Sequence, residues 1–159
     1  MPVDKDEFRL VMSQFASGVT VVTARCDDDK LRGLTVSAFT SLSLEPPLIL
    51  VCLDKRASLH DHLKVDMYFA VNILAEEQES VSRRFASKEE DRFNGLGYRE
   101  APRGSPLLEG AVASVECRLV SVYPGGDHTI FVGEVDSSVV NGGSPLAYFR
   151  GGYVHLAEE

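Results

Sequence analysis

Five hydroxyl side chains crowd nine positions of the stretch "TVSAFTSLS". They are Thr35, Ser37, Thr40, Ser41 and Ser43, and they lie just ahead of Pro46-Pro47 and the apolar run "LILVCLD". Serine and threonine both donate and accept hydrogen bonds, and they are small enough to let a backbone approach a ligand. In an extended chain Thr35, Ser37, Ser41 and Ser43 share one face, and Val36, Ala38 and Leu42 share the other. Thr40 is out of phase, which predicts a bend at Thr40–Ser41 that exposes backbone groups beside the hydroxyls, those of Val36 and Leu42 among them. Such a surface suits a polar heterocycle rich in hydrogen-bonding atoms, of which a flavin is one. A solvated Ser/Thr-rich strand face has the same pattern.

A phosphate on that ligand would need local positive charge, because the chain is acidic. The segment "DKRASLHD" offers Lys55 and Arg56, then Ser58 at the start of a predicted short helix with Asp61 at the capping-box position. A helix N-terminus with free N–H groups attracts anions, so Lys55, Ser58 and the backbone of Ala57 are the candidates. Farther on, "GGDH" places His128 at the end of a Gly-Gly turn, with Asp127 beside it to orient the imidazole. A histidine there can donate a hydrogen bond to a bound ring. His60 and His62 are two apart on a predicted helix and point to different sides, a poor metal pair, so no metal is expected. No G-x-S-x-G supports serine hydrolysis, and no G-x-G-x-x-G supports a Rossmann site.

Composition sets the frame. The 159 residues fit one domain, 1–159, with a true core, and 44% of them are hydrophobic. Acidic residues outnumber basic ones 24 to 16, for a net charge of −8, which argues against nucleic acid and anionic membranes. No apolar run approaches the roughly 18 residues of a membrane span, and the first residues lack the order of a signal peptide. Three widely spaced cysteines, Cys26, Cys52 and Cys117, predict free thiols in a reducing cytoplasm.

The elements that must position these residues are mostly strands. Asp4 and Glu7 open a helix whose Phe8, Val11, Met12 and Phe15 share a face, with Gly18 as its end. "VTVVTAR" and "LRGLTVS" read as a hairpin, "LILVCLD" as a buried strand, and "MYFAVNIL" as another. "EEQESVSRRFAS" reads as a helix, Lys88 to Ser105 as a long surface loop, and "AVASVECRLVSVYP" and "TIFVGEVDSSVVN" as two long strands. "LAYFRGGYVHL" closes the chain as a short strand or tail. Six or seven strands with few helices predict a β-barrel with peripheral helices.

Taken in order, "FASGVTVVTA", "GLTVSAFTSLSLEPPLILVCLD", "FAVNIL", "RRFA", "GDHTIFVGEV" and "YFRGGY" resemble the flavin reductase family, from about Phe8 to Tyr153. The resemblance implies an all-β or α+β split barrel, a homodimer, and FMN or FAD reduced by NADH or NADPH. The reduced flavin would then serve a partner flavin-dependent monooxygenase. It implies flavin contacts from Thr35, Val36, Ser37, Thr40, Ser41, Leu42, Lys55, Ala57 and Ser58, and from Phe85 near the ring or tail. One of Arg83 and Arg84 would form a salt bridge. His128 and Tyr153 would serve the nicotinamide side, His128 as the catalytic group. Two rivals share the barrel: a non-enzymatic flavin-binding module, and a flavoprotein reductase of a non-flavin substrate such as a corrinoid.

Overall fold

Asp4 accepts the backbone N–H of Glu7 at 2.8 Å, and helix α1 (Lys5–Met12) starts there as its capping signal predicts. The computed structural model describes residues 2–157. The helix ends at Ser13, short of the expected Gly18, and none of its residues is buried. Phe8, Leu10, Val11, Met12 and the following Phe15 are all more than half exposed.

The strands come next: β1 (Ser17–Gly18), β2 (Thr20–Arg25), β3 (Leu31–Val36), β4 (Phe39–Ser43) and β5 (Leu48–Asp54). Helix α2 (Ser58–His62) and β6 (Tyr68–Ile73) lead through a 3-10 turn, Glu76–Gln78, into α3 (Glu79–Ala86). The short strands β7 (Tyr98–Glu100) and β8 (Pro106–Leu108) precede a long hairpin, β9 (Ala113–Gly125) and β10 (His128–Val140). The chain closes with β11 (Ala147–Phe149) and β12 (Gly152–Val154). The five strands shorter than four residues are too brief to carry a readable alternation, so the count among the described residues exceeds the six or seven predicted.

Seven strands form one antiparallel sheet in the order β3-β2-β6-β9-β10-β5-β4. Its two edge strands, β3 and β4, are consecutive in the chain and are joined only by Ser37 and Ala38. That short crossing curls the sheet until β3 also touches β5, which makes a split barrel rather than a closed one. The bend therefore falls at Ser37–Ala38 and not at Thr40–Ser41; β4 instead has a register irregularity between Ser41 and Ser43.

One apolar cluster fills the barrel, with Val22, Val51, Leu53, Phe69, Leu119 and Phe131 at its centre. A second, around Val19, Val21, Leu74, Phe85 and Leu146, lies outside the sheet. Strand β2 feeds both, which is why "VTVVTA" is apolar on both faces. Glycine is required at Gly33, where a Cβ would meet the Phe85 ring at 2.6 Å. The segment Lys88 to Ser105 is not a free loop. It includes β7, and Arg92 ties it down by donating to the carbonyls of Gly33 at 2.7 Å, Phe85 at 3.1 Å and Ser87. The three cysteines are free, and no helix among the described residues is long and apolar enough to cross a membrane.

Candidate functional site

The β9–β10 turn contains two residues, Gly126 and Asp127, rather than a Gly-Gly pair, with Gly126 at φ +68°. Glycine takes that conformation without steric cost, as the first position of a type II′ hairpin requires. His128 is thus the first residue of β10, paired with Gly125 on one side and Asp54 on the other. Its Nδ1 lies 2.7 Å from the Asp127 carboxylate. The hydrogen bond from His128, and then its charge, hold the Asp127 carboxyl below its usual value. A carboxylate only accepts, so Nδ1 carries the proton and Nε2 is the nitrogen left for a ligand.

The segment after β5 is pinned against this turn. The Lys55 N–H donates to the Asp127 carbonyl at 3.0 Å. Asp54 takes the Arg56 guanidinium at 2.8 and 3.1 Å and is driven well below the usual carboxylate range by it. Lys55 itself is exposed. Ser58 is not the cap that its position predicts: Ala57 is the N-cap and makes no side-chain cap bond, while Ser58 is the first helical residue. Asp61 therefore has no capping partner in Ser58. With only five residues, α2 has little dipole to offer, so any attraction for phosphate must come from side chains.

Ser58 lines a cleft of about 450 Å³ together with Lys30, Arg32, Lys88, Glu89 and Arg92. Arg32 is held bidentately by Asp28 at 2.9 and 2.8 Å, and Arg92 is spent on carbonyls. Lys30 and Lys88 have no carboxylate partner among the described residues.

The hydroxyls divide into two groups. Thr35 is half-buried and donates to the Ser82 carbonyl at 2.6 Å. Val36 is a core residue whose carbonyl accepts the Thr20 hydroxyl at 2.7 Å. Ser37, Thr40, Ser41 and Leu42 are exposed, at the barrel's seam and along β4. The Ala38 carbonyl accepts the Cys52 N–H at 3.0 Å, two residues before Asp54, the partner of His128. The seam and His128 therefore flank the same end of β5, roughly 10 Å apart by two strand spacings.

Two expectations are redirected. Phe85 is fully buried in the second apolar cluster, edge-on to Phe93 at 5.1 Å, so it cannot touch a ligand and instead shapes the wall behind the cleft. Tyr153 sits with Thr35 rather than with His128: its hydroxyl meets Ser82 Oγ at 2.7 Å and Arg83 lies over its ring at 4.9 Å. Arg83 forms the expected salt bridge, to Glu79 at 2.8 Å. Ser82, Arg92 and His60 escape the sequence reading as positioning groups. Nothing in their spacing marks them, because their partners lie on distant elements.

Comparison with known proteins identifies the family and the fold. Residues 12–157 match the flavin reductase like domain. A flavin reductase of Pseudomonas putida is 43% identical over 152 residues, covering 95% of this chain and 89% of its own. The reductase component of 4-hydroxyphenylacetate 3-monooxygenase from Thermus thermophilus is 42% identical over 153 residues, covering 96% and 97%. A solved structure of the NADH:FAD oxidoreductase of Streptomyces globisporus, in complex with NAD and FAD fragments, superposes with a TM-score of 0.91. It is 38% identical and covers 97% of this chain and 93% of that one.

Proposed function

The chain belongs to the flavin reductase like domain family, and from that premise we propose that it reduces FMN or FAD with NADH and releases the product to a partner monooxygenase. The observation that carries this reading is the grouping of three features around β5: the Ser37–Ala38 crossing, the Lys55–Ser58 segment and the Asp127–His128 pair at its C-terminal end, with the exposed hydroxyls of Thr40 and Ser41 running back along it opposite Leu50 and Ile49. The donor set fits a flavin. Alcohols and backbone groups suit its ring edge and ribityl chain, and Lys55 and Ser58 suit its phosphate, with Lys30 and Lys88, which have no carboxylate partner among the described residues, adding positive charge in the cleft that Ser58 lines.

A bound flavin supplies the redox chemistry by taking a hydride from the nicotinamide. The chain's task is to hold two planar rings together, keep water out and present hydrogen bonds. Ser37, Thr40, Ser41 and the backbone at Leu42 hold the ring and ribityl hydroxyls. Lys55, Ala57 and Ser58 hold the tail. Thr35 acts through its bond to Ser82 and steadies α3 against β3. His128 offers Nε2 to the nicotinamide amide or the flavin edge while Asp127 fixes the ring. Tyr153 holds the C-terminal hairpin over α3.

The protein acts as one domain over residues 1–159 and works as a homodimer. Support for the dimer is the bare apolar face of α1, since an eight-residue helix with no buried residue gains little stability by itself. The test of function is direct: purified protein, NADH and excess FMN or FAD are mixed and the NADH absorbance band is followed. Flavin-dependent loss of that band is expected. Tight flavin binding without NADH oxidation would mean a binding module instead.

A further inference from the structure

His60 belongs to neither the ligand-binding hydroxyls nor the apolar core. Its ring bridges α2 and β10, with Nε2 2.7 Å from Thr129 Oγ1 and Nδ1 2.9 Å from Asp61 Oδ1. It also stands edge-on to Phe131, centroids 5.5 Å apart at 84°. The Asp61 carboxylate fixes the proton on Nδ1, so in the neutral ring Nε2 accepts the hydroxyl of Thr129. Thr129 is buried, at 7% exposure, and its hydroxyl is held where water hardly competes.

Thr129 follows His128 directly, and the residue before it, Asp127, accepts the Lys55 N–H. The 55–60 segment is therefore tied to the chain on both sides of His128, to the turn at Asp127 and to β10 at Thr129. Leu59 and Leu63 anchor the apolar side of α2, but apolar contact is non-directional and does not fix register. The two hydrogen bonds do.

We propose that His60 is a positioning residue whose bond to Thr129 sets the spacing between the Lys55–Ser58 segment and His128. This rests on the reading that those two parts hold the flavin tail and the nicotinamide side. Hydride transfer is steep in ring placement, so slackening this strut slows turnover even at saturation.

The experiment compares His60→Ala, Thr129→Val, Thr129→Ser and the His60→Ala/Thr129→Val double variant in steady-state kinetics with NADH and FMN. Thermal midpoints are recorded alongside. His60→Ala and Thr129→Val are each expected to lower kcat at saturation about tenfold and to raise the flavin KM severalfold. Thr129→Ser, which keeps the hydroxyl, should retain wild-type kcat, and the double variant should be no worse than the worse single one. Thr129→Val preserves shape and carries the test if His60→Ala does not fold. Single variants with kcat within about twofold of wild type, or losses that multiply in the double variant, would overturn the proposal. Wild-type protein that oxidises no NADH overturns the functional reading as well; an active wild type with unaffected variants overturns only the strut.

Discussion

His128 and Asp127 hold each other at 2.7 Å although they are neighbours in the chain, where side chains of an extended strand would point apart. The two-residue turn makes this possible, because Asp127 is still in the turn while His128 has entered β10. His128→Ala is expected to lower kcat for NADH oxidation by about one to two orders of magnitude and to leave flavin affinity within about twofold. Stopped-flow hydride transfer and flavin titration check the two halves. Because the Asp127 carboxyl is held below its ordinary value of 3.8, the contact is complete above that pH and is lost only as pH falls through the depressed value. Asp127→Asn should weaken turnover at every pH above it.

In the proposed assignment Lys55 and Ser58 hold the flavin phosphate, and this separates a phosphorylated flavin from a bare one. Lys55→Met and Ser58→Ala are expected to weaken FMN binding by about three- to tenfold and to leave riboflavin binding unchanged. Flavin fluorescence titrations with both ligands measure the difference. Equal losses for the two ligands would place the phosphate elsewhere.

Cys117 provides an alkaline signature of the fold. It is fully buried, and burial, followed by the nearby Glu116, pushes its thiol from 9.0 up to about 12. The unfolded chain ionises this thiol first, so its contribution to stability is full below pH 9.0 and falls as pH rises toward about 12. The slope approaches about 1.4 kcal/mol per pH unit within that window. Urea melts at increasing alkalinity should show it, and Cys117→Ala should flatten it.

The face of α1 predicts oligomeric state. Val11→Glu with Phe15→Glu places two carboxylates on the exposed apolar surface of α1 and the turn that follows it. The paired variant is expected to sediment as a monomer where the wild type sediments as a dimer. Two charges buried at a subunit interface cost several kcal/mol. A wild-type monomer would remove the reading.

Much of this architecture is written locally in the chain. β2 and β5 announce themselves by continuous β-branched and aliphatic residues, and Asp4 with Glu7 marks the start of α1. Cooperation over distance is not written there. Ser58 looks like a cap because serine usually caps, yet Ala57 takes that place once β5 ends in the Asp54–Arg56 turn. Phe85 looks like a ligand contact until α3 packs on β3 and seals it over Gly33. Arg92 looks like loop polarity, but its guanidinium meets carbonyls on β3 and α3. Glu116 is likewise buried, satisfied by the N–H groups of Arg103 and Ser105 at 2.8 and 2.9 Å. In each case the partner is brought in by topology, which a local pattern cannot encode.

Ser37 and Ala38 alone span the opening between β3 and β4, in a tight turn where the Phe39 N–H donates to the Ser37 carbonyl at 2.9 Å. Both flanking strands are paired in register, β3 to β2 and β4 to β5, so an inserted residue must either bulge from the exposed crossing or shift β4 along β5. A shift of that kind would move the alcohols of β4 out of step with the histidine across β5. At this crossing the chain's reach, more than the identity of its side chains, meters the distance between the two halves of the site.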